Sequence, residues 1–270
     1  MTALPFALNH MTTPALPLPA FFALARSLGI SSVEIRNDLS GNAILDGTPA
    51  KDVAALAERH GITIISINAL QRFNEWNAAR KAEAEDLIAY ARDCGAKALV
   101  LVPVNDGSGQ ADGVRQANLR EALSALKPML EEAGVIGLVE PLGFEICSLR
   151  SKSEAVEAIV AVGGEKTFRL VHDTFHHHLA GEPATFPEMT GLVHISGVTD
   201  ERVSVPDLRD SHRVLVDAGD LLDNVGQISV LRHNGYNGPL SFEPFAAEVH
   251  DFADPAAAVR QSMDYIQSHI

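Results

Sequence analysis

The sequence predicts an eight-stranded (β/α)8 TIM barrel of the α/β class, and three observations carry that reading. Short Val/Ile/Leu runs alternate with longer amphipathic stretches, eight times from one end of the chain to the other. The short runs are continuously apolar rather than alternating, which suits a parallel sheet covered by helices. Several helical stretches stop at a glycine just before the next apolar run, as in Leu28-Gly-Ile30, His60-Gly-Ile62, Cys94-Gly-Ala96 and Ala133-Gly-Val135. Glycine is the residue that ends a helix in a left-handed cap.

The first apolar run, Phe6-Ala-Leu-Asn9, reads as a strand and is followed by a helix over 17–28. Ser32-Val-Glu-Ile-Arg36 is the second strand, with a helix over 50–60 after it. The β-branched run Ile62-Thr-Ile-Ile-Ser-Ile-Asn68 forms the third, followed by a helix over 77–94. Ala98-Leu-Val-Leu-Val102 precedes a long amphipathic helix over 113–133, and Ile136-Gly-Leu-Val-Glu140 precedes one over 153–162. Phe168-Arg-Leu-Val-His-Asp173 leads into a short helical region. Strand 192–195 with helix 221–233, and strand 240–243 with helix 254–269, complete the count; the turn from His233 to Pro239 separates these two units. Right-handed crossovers close eight such units into a barrel, with a doubly wound open sheet as the alternative. The loops over 68–77, 103–113 and 196–220 follow strands and are long, which in a barrel puts them on the catalytic face.

Length and composition fit one domain spanning 1–270. The chain has 270 residues, 46% hydrophobic and 21% charged, with no linker or low-complexity segment. A formal charge of −14 lacks the basic footprint that nucleic-acid binding requires. Two distant cysteines, Cys94 and Cys147, offer no disulfide framework, so a cytoplasmic location is expected. The start shows no basic segment leading into an apolar core, and no apolar stretch reaches the roughly 20 residues that span a bilayer. Neither a signal peptide nor a membrane partner is therefore expected.

Four polar groups stand at the far ends of four successive strands: Glu140, Asp173, His194 and Glu243. Taken singly, a carboxylate there is more often a cap or a salt-bridge partner. Taken together, three carboxylates and an imidazole on one rim repel and desolvate one another unless a cation joins them. The oxygen-rich, sulfur-free set favours a divalent metal ion, Mn²⁺ first, with Mg²⁺, Co²⁺ and Zn²⁺ as alternatives. Asn9, His10, Glu34, Arg36 and Asn68 end strands one to three and face either the pocket or a loop. Trp76, beside Phe73, is either a hydrophobic wall over a bound substrate or a packing residue. His172 precedes Asp173 and so points to the opposite side of its strand. No glycine-rich phosphate cradle is present, which tilts the expected substrate toward an unphosphorylated one.

The segments Val139-Glu-Pro-Leu-Gly143, His172-Asp-Thr-Phe-His176, Val193-His-Ile-Ser196 and Phe242-Glu-Pro-Phe245 resemble the xylose-isomerase-like TIM barrels, the sugar phosphate isomerase/epimerase superfamily. Within it the chain is most similar to the inosose (2-keto-myo-inositol) isomerase and ketose 3-epimerase branches. The resemblance covers essentially the whole chain. It implies that Glu140, Asp173, His194 and Glu243 hold the metal and that Glu140 and Glu243 are also the catalytic acid/base pair. His176 is implied as a substrate-binding imidazole, and either Arg202 or Arg213 as the arginine that grips substrate oxygen; Asn68 is a further candidate. The implied reaction is isomerisation of a small polyhydroxy ketone of inosose type by proton transfer through a metal-bound enediolate, with a role in inositol catabolism. Ketose 3-epimerase, inosose dehydratase, hydroxypyruvate isomerase and a non-catalytic sugar-binding barrel are the alternatives. The resemblance also implies a homo-oligomer.

Overall fold

The computed structural model describes residues 3–270. Its eight strands are β1 (Phe6–Asn9), β2 (Ser32–Arg36), β3 (Thr63–Gln71), β4 (Ala98–Val102), β5 (Ile136–Val139), β6 (Phe168–Asp173), β7 (Thr190–Ile195) and β8 (Leu240–Phe242). All pair in parallel with their sequence neighbours, and β1 pairs β8 through Phe6–Leu240 and Leu8–Phe242, so the sheet closes on itself. The eight-unit reading and the barrel closure hold. Glu140 and Glu243 lie one residue beyond their strands, yet their amides still donate to Leu101 O and Ile195 O at 3.1 and 2.9 Å. Ladder geometry therefore extends to both side chains.

The helices are α1 (Leu18–Ser27), α2 (Ala50–His60), α3 (Ala78–Cys94), α4 (Val114–Ala133), α5 (Lys152–Ala161), α6 (Thr174–Ala180), α7 (Asn224–His233), α8 (Ala247–His250) and α9 (Pro255–His269). Caps explain their ends. Asn77, Ser151, Asp173 and Asp254 each accept a backbone N–H of the following turn, and Gly61, Gly95, Gly134 and Gly181 close helices in the left-handed conformation. Helix α7 begins at Asn224 rather than 221, because Asp223 is its cap and accepts from Gly226 N. The short α8 was not anticipated; it lies in the segment between β8 and α9. None of the described helices is long and apolar enough to cross a membrane.

Alternation along the strands sorts the interior. Residues such as Leu99, Leu101, Val193 and Ile195 face outward into the large apolar layer beneath the helices. Ala98, Val100, Leu138, Val171 and Leu192 form a separate apolar set that fills the barrel. Two residues further along those strands, the inward positions turn polar: Glu140 follows Leu138, Asp173 follows Val171, and His194 follows Leu192.

His172 faces outward, as its position predicts. Its Nδ1 accepts from Lys152 Nζ at 2.9 Å, and its Nε2 donates to Gln227 Oε1 at 2.9 Å. Lys152 Nζ also donates to His177 Nδ1 at 2.6 Å, tying α5, β6, α6 and α7 together. Burial, reinforced by the Lys152 charge, pushes His177 from the usual 6.5 down to about 4. The unfolded chain takes up this proton near pH 6.5 while the native chain resists until about pH 4. The native state is thus increasingly disfavoured as pH falls through that window. Thermal unfolding is expected at lower temperature on acidification from 6.5 to 4, and His177→Gln should flatten that slope. Identical slopes for variant and parent would remove His177 as the cause.

Candidate active site

The inward polar positions meet in one buried cluster. Glu140, Asp173, His194 and Glu243 each offer one ligand atom, and these atoms lie within 4.8 Å of one another. His194 is at the centre. Its Nδ1 lies 2.9 Å from Glu140 Oε1, 3.1 Å from Glu243 Oε2 and 3.8 Å from Asp173 Oδ2. Asp173 uses its two oxygens differently. Oδ1 accepts from His176 N at 2.9 Å and caps α6, while Oδ2 faces the cluster.

Two arginines close the rim. Arg213 is 2% exposed; its Nη2 donates to Asp173 Oδ2 at 2.6 Å and to Glu243 Oε2 at 3.0 Å. Its remaining nitrogens donate to Ser196 Oγ and Asp210 Oδ1. Arg36 Nη1 donates to Glu243 Oε1 at 2.7 Å, and its other nitrogens donate to Asp38. Both guanidiniums face the Phe245 ring, at 4.5 Å for Arg213 and 5.5 Å for Arg36. Asn9 Nδ2 and Asn68 Nδ2 add donations to Glu243 Oε1 at 3.1 and 3.4 Å. Arg202 is elsewhere: 90% exposed, it pairs with Asp200 on the long loop over 196–220. Of the two arginines left open by the sequence, the structure brings only Arg213 to the cluster.

That placement follows from the loop's own construction. An antiparallel bridge between Gly197 and Val214 pins its base, and short 3-10 turns at Val205–Asp207 and Asp210–His212 lead the chain back inward to Arg213. His176 is buried in the first turn of α6, its ring edge-on to Phe144 at 5.1 Å. Its Nδ1 has no hydrogen-bond partner among the described residues, which leaves a polar atom to be satisfied from the pocket. His177 turns away to Lys152. Trp76 and Phe73 pack in the apolar layer under the helices. Sequence reasoning missed Asp38, Asp210 and Ser196; these lie on loops or strand ends, where no periodicity marks them.

Gly143, at the end of the Glu140-Pro-Leu-Gly143 turn, holds α6 close. A Cβ there would sit 2.3 Å from His176 O and 2.5 Å from Leu179 Cβ. Gly143→Ala is therefore expected to destabilise the fold by about 1–3 kcal/mol, measured by denaturant unfolding. Unchanged stability would show that α6 yields freely.

The buried charges do not balance by themselves. Four buried carboxylates, Glu34, Glu140, Asp173 and Glu243, face two buried guanidiniums, Arg36 and Arg213. The deficit of two positive charges bears on each group's affinity for a proton. Burial opposes a charged imidazole, yet Glu243, Glu34 and Glu140 hold His194 well above its usual value. Burial pushes Glu140 above the usual carboxylate range, although His194 opposes it. Glu243 goes the other way: against its burial, His194, Arg213 and Arg36 hold it well below that range. One divalent cation among these ligand atoms supplies the missing charge with His194 neutral, so the residues fit a metal ion.

The chain matches the family described as xylose isomerase-like TIM barrel over residues 22–269, and it belongs to that family. A xylose isomerase domain-containing protein from Salmonella typhimurium LT2 is 33% identical over 99% of this chain and 98% of its own, with a TM-score of 0.90. The IOLI protein, solved with a binding zinc atom, is 22% identical over 99% of both chains, with a TM-score of 0.88. L-ribulose 3-epimerase is 20% identical over 98% of this chain and 94% of its own, with a TM-score of 0.74. No curated protein sequence matches the chain.

Proposed function

We propose that this chain is a divalent-metal-dependent isomerase of an uncharged keto-polyol of inosose type, moving a proton on a carbon next to a carbonyl. The observation that carries the reading is the buried meeting of Glu140, Asp173, His194 and Glu243, which together with buried Glu34, Arg36 and Arg213 reaches charge balance with one divalent ion. Mn²⁺ suits this oxygen-rich set, and zinc bound to the structurally similar IOLI protein agrees with the same class of ion. When bound, the ion acts as a Lewis acid toward the substrate carbonyl and stabilises the negative charge that develops on oxygen.

The chain's own residues supply the rest. Glu140 and Glu243 are the acid/base pair, one removing the proton and the other able to return it. Glu140 has one oxygen on His194 and keeps the other without a hydrogen bond among the described residues. Glu243 has both oxygens engaged by Arg36, Arg213, Asn9, Asn68 and His194. His176, with its unpartnered Nδ1, binds a substrate hydroxyl. Arg213 sits beside the reacting groups and helps stabilise developing charge. Neither buried arginine is spare: Arg36 is neutralised by Asp38 and Glu243, and Arg213 by Asp173, Asp210 and Glu243. Among the described residues no buried guanidinium is left for a phosphate or carboxylate, which supports an uncharged substrate.

A ketose 3-epimerase makes the same proton transfer and returns the proton to the opposite face. Two glutamates in one pocket serve it equally. The test is an NMR screen of inososes and ketohexoses in D₂O, on protein stripped of metal and on the same protein resupplied with Mn²⁺. Deuterium at one carbon, only with Mn²⁺, is the expected result, and the product separates isomerase from epimerase. Full exchange in the presence of chelator would sink the proposal.

A further inference from the structure

We infer that Glu34 is a positioning residue for metal binding: it holds the His194 ring so that Nδ1, not Nε2, faces the three carboxylates. Glu34 lies on β2, fully buried and below the rim. Its Oε2 lies 3.2 Å from His194 Nε2, on the side of the ring away from Glu140, Asp173 and Glu243. A carboxylate can only accept, so Nε2 carries the hydrogen of this bond, and the nitrogen left to exchange its proton for a metal ion is Nδ1, which faces the cluster. Two hydroxyls lock the carboxylate in turn. Ser66 Oγ donates to Oε2 and Ser241 Oγ to Oε1, and both serines are fully buried.

This layer sits one strand repeat beneath the rim. Glu34 is two residues before Arg36, Ser66 two before Asn68, and Ser241 two before Glu243. An apolar layer, as in the rest of the barrel interior, would serve stability better than a carboxylate that no arginine or lysine bonds. The placement makes sense as support for an imidazole ligand: it fixes the ring's tautomer and raises its basicity. Glu34 also completes the buried charge balance. With it, a divalent ion brings the buried set to neutrality; without it, the same ion leaves an excess positive charge.

The inference rests on the metal reading of the site, and the experiment separates the two. Mn²⁺ affinity is measured by chelator competition for wild-type, Glu34→Gln and Ser66→Ala protein, and the visible spectrum of each is recorded with Co²⁺. Glu34→Gln is expected to bind Mn²⁺ about 10- to 100-fold more weakly, with an altered Co²⁺ band. Ser66→Ala keeps the carboxylate and removes one of its locks, so a smaller loss is expected. It also keeps the question testable if Glu34→Gln does not fold. Wild-type affinity and spectrum in both variants would overturn the inference while leaving the metal reading intact. Wild-type protein that binds neither ion would overturn the metal reading, and the inference with it.

Discussion

Glu243→Gln is expected to slow solvent-proton exchange into substrate by roughly 10²- to 10⁴-fold at saturating Mn²⁺, the range that one positioned acid/base group contributes. The substitution keeps size and shape, so the barrel end should remain packed. It removes the negative charge on which Arg36, Arg213, Asn9 and Asn68 converge. It also removes the group that takes or returns the proton. Deuterium incorporation, followed by NMR on metal-saturated enzyme, isolates the proton transfer from any loss of metal affinity. Normal turnover in Glu243→Gln would eliminate the proposed pair. The same measurement on Glu140→Gln shows whether both carboxylates are needed or only one.

Arg213→Ala should produce the largest change in stability. Its guanidinium is 2% exposed and bonds two carboxylates that are themselves buried. Removing one partner of a buried ion pair leaves uncompensated charge and costs about 3–5 kcal/mol. Here Asp173 and Glu243 would both lose that partner while still facing Glu140. Added Mn²⁺ should recover part of the loss, because the ion supplies positive charge to the same oxygens and binds only the folded state. Arg202→Ala should change stability by no more than about 0.5 kcal/mol, since its side chain is 90% exposed and bonds only Asp200. Denaturant unfolding of both variants, with and without Mn²⁺, tests the contrast. Equal stabilities would show that the buried charges are relaxed by solvent and are not paired as described.

Much of the fold was legible because its causes are local. Continuous apolar runs, capping Asn, Ser and Asp residues and C-terminal glycines act within a few positions of themselves. Six of the eight strands accordingly have the bounds the sequence suggested: β1, β2, β4, β6 and, within one residue, β5 and β8. The misjudged boundaries have local causes too. Strand β3 continues to Gln71 through a register shift against β4, and α7 waits for Asp223 to adopt a left-handed cap. Neither feature shows in hydrophobic periodicity. Within the candidate site, strand-end position singled out Glu140, Asp173, His194 and Glu243 because each terminates an apolar run.

The choice between Arg202 and Arg213 could not be read from spacing, since both follow β7 in one long loop. The bridge at Gly197 and Val214 decides it by folding the loop back on itself. Glu34 is the sharper case. It lies 160 residues from His194 in the chain, and only closure of the barrel in its observed register brings the two together. The sequence by itself determined which strands form and which of their ends are polar, because backbone preference and apolar periodicity are set by near neighbours. Tertiary structure alone decided which polar groups meet, how their charges fall two short of balance, and which carboxylate sits behind the imidazole. Those depend on distances between strands that no local pattern encodes.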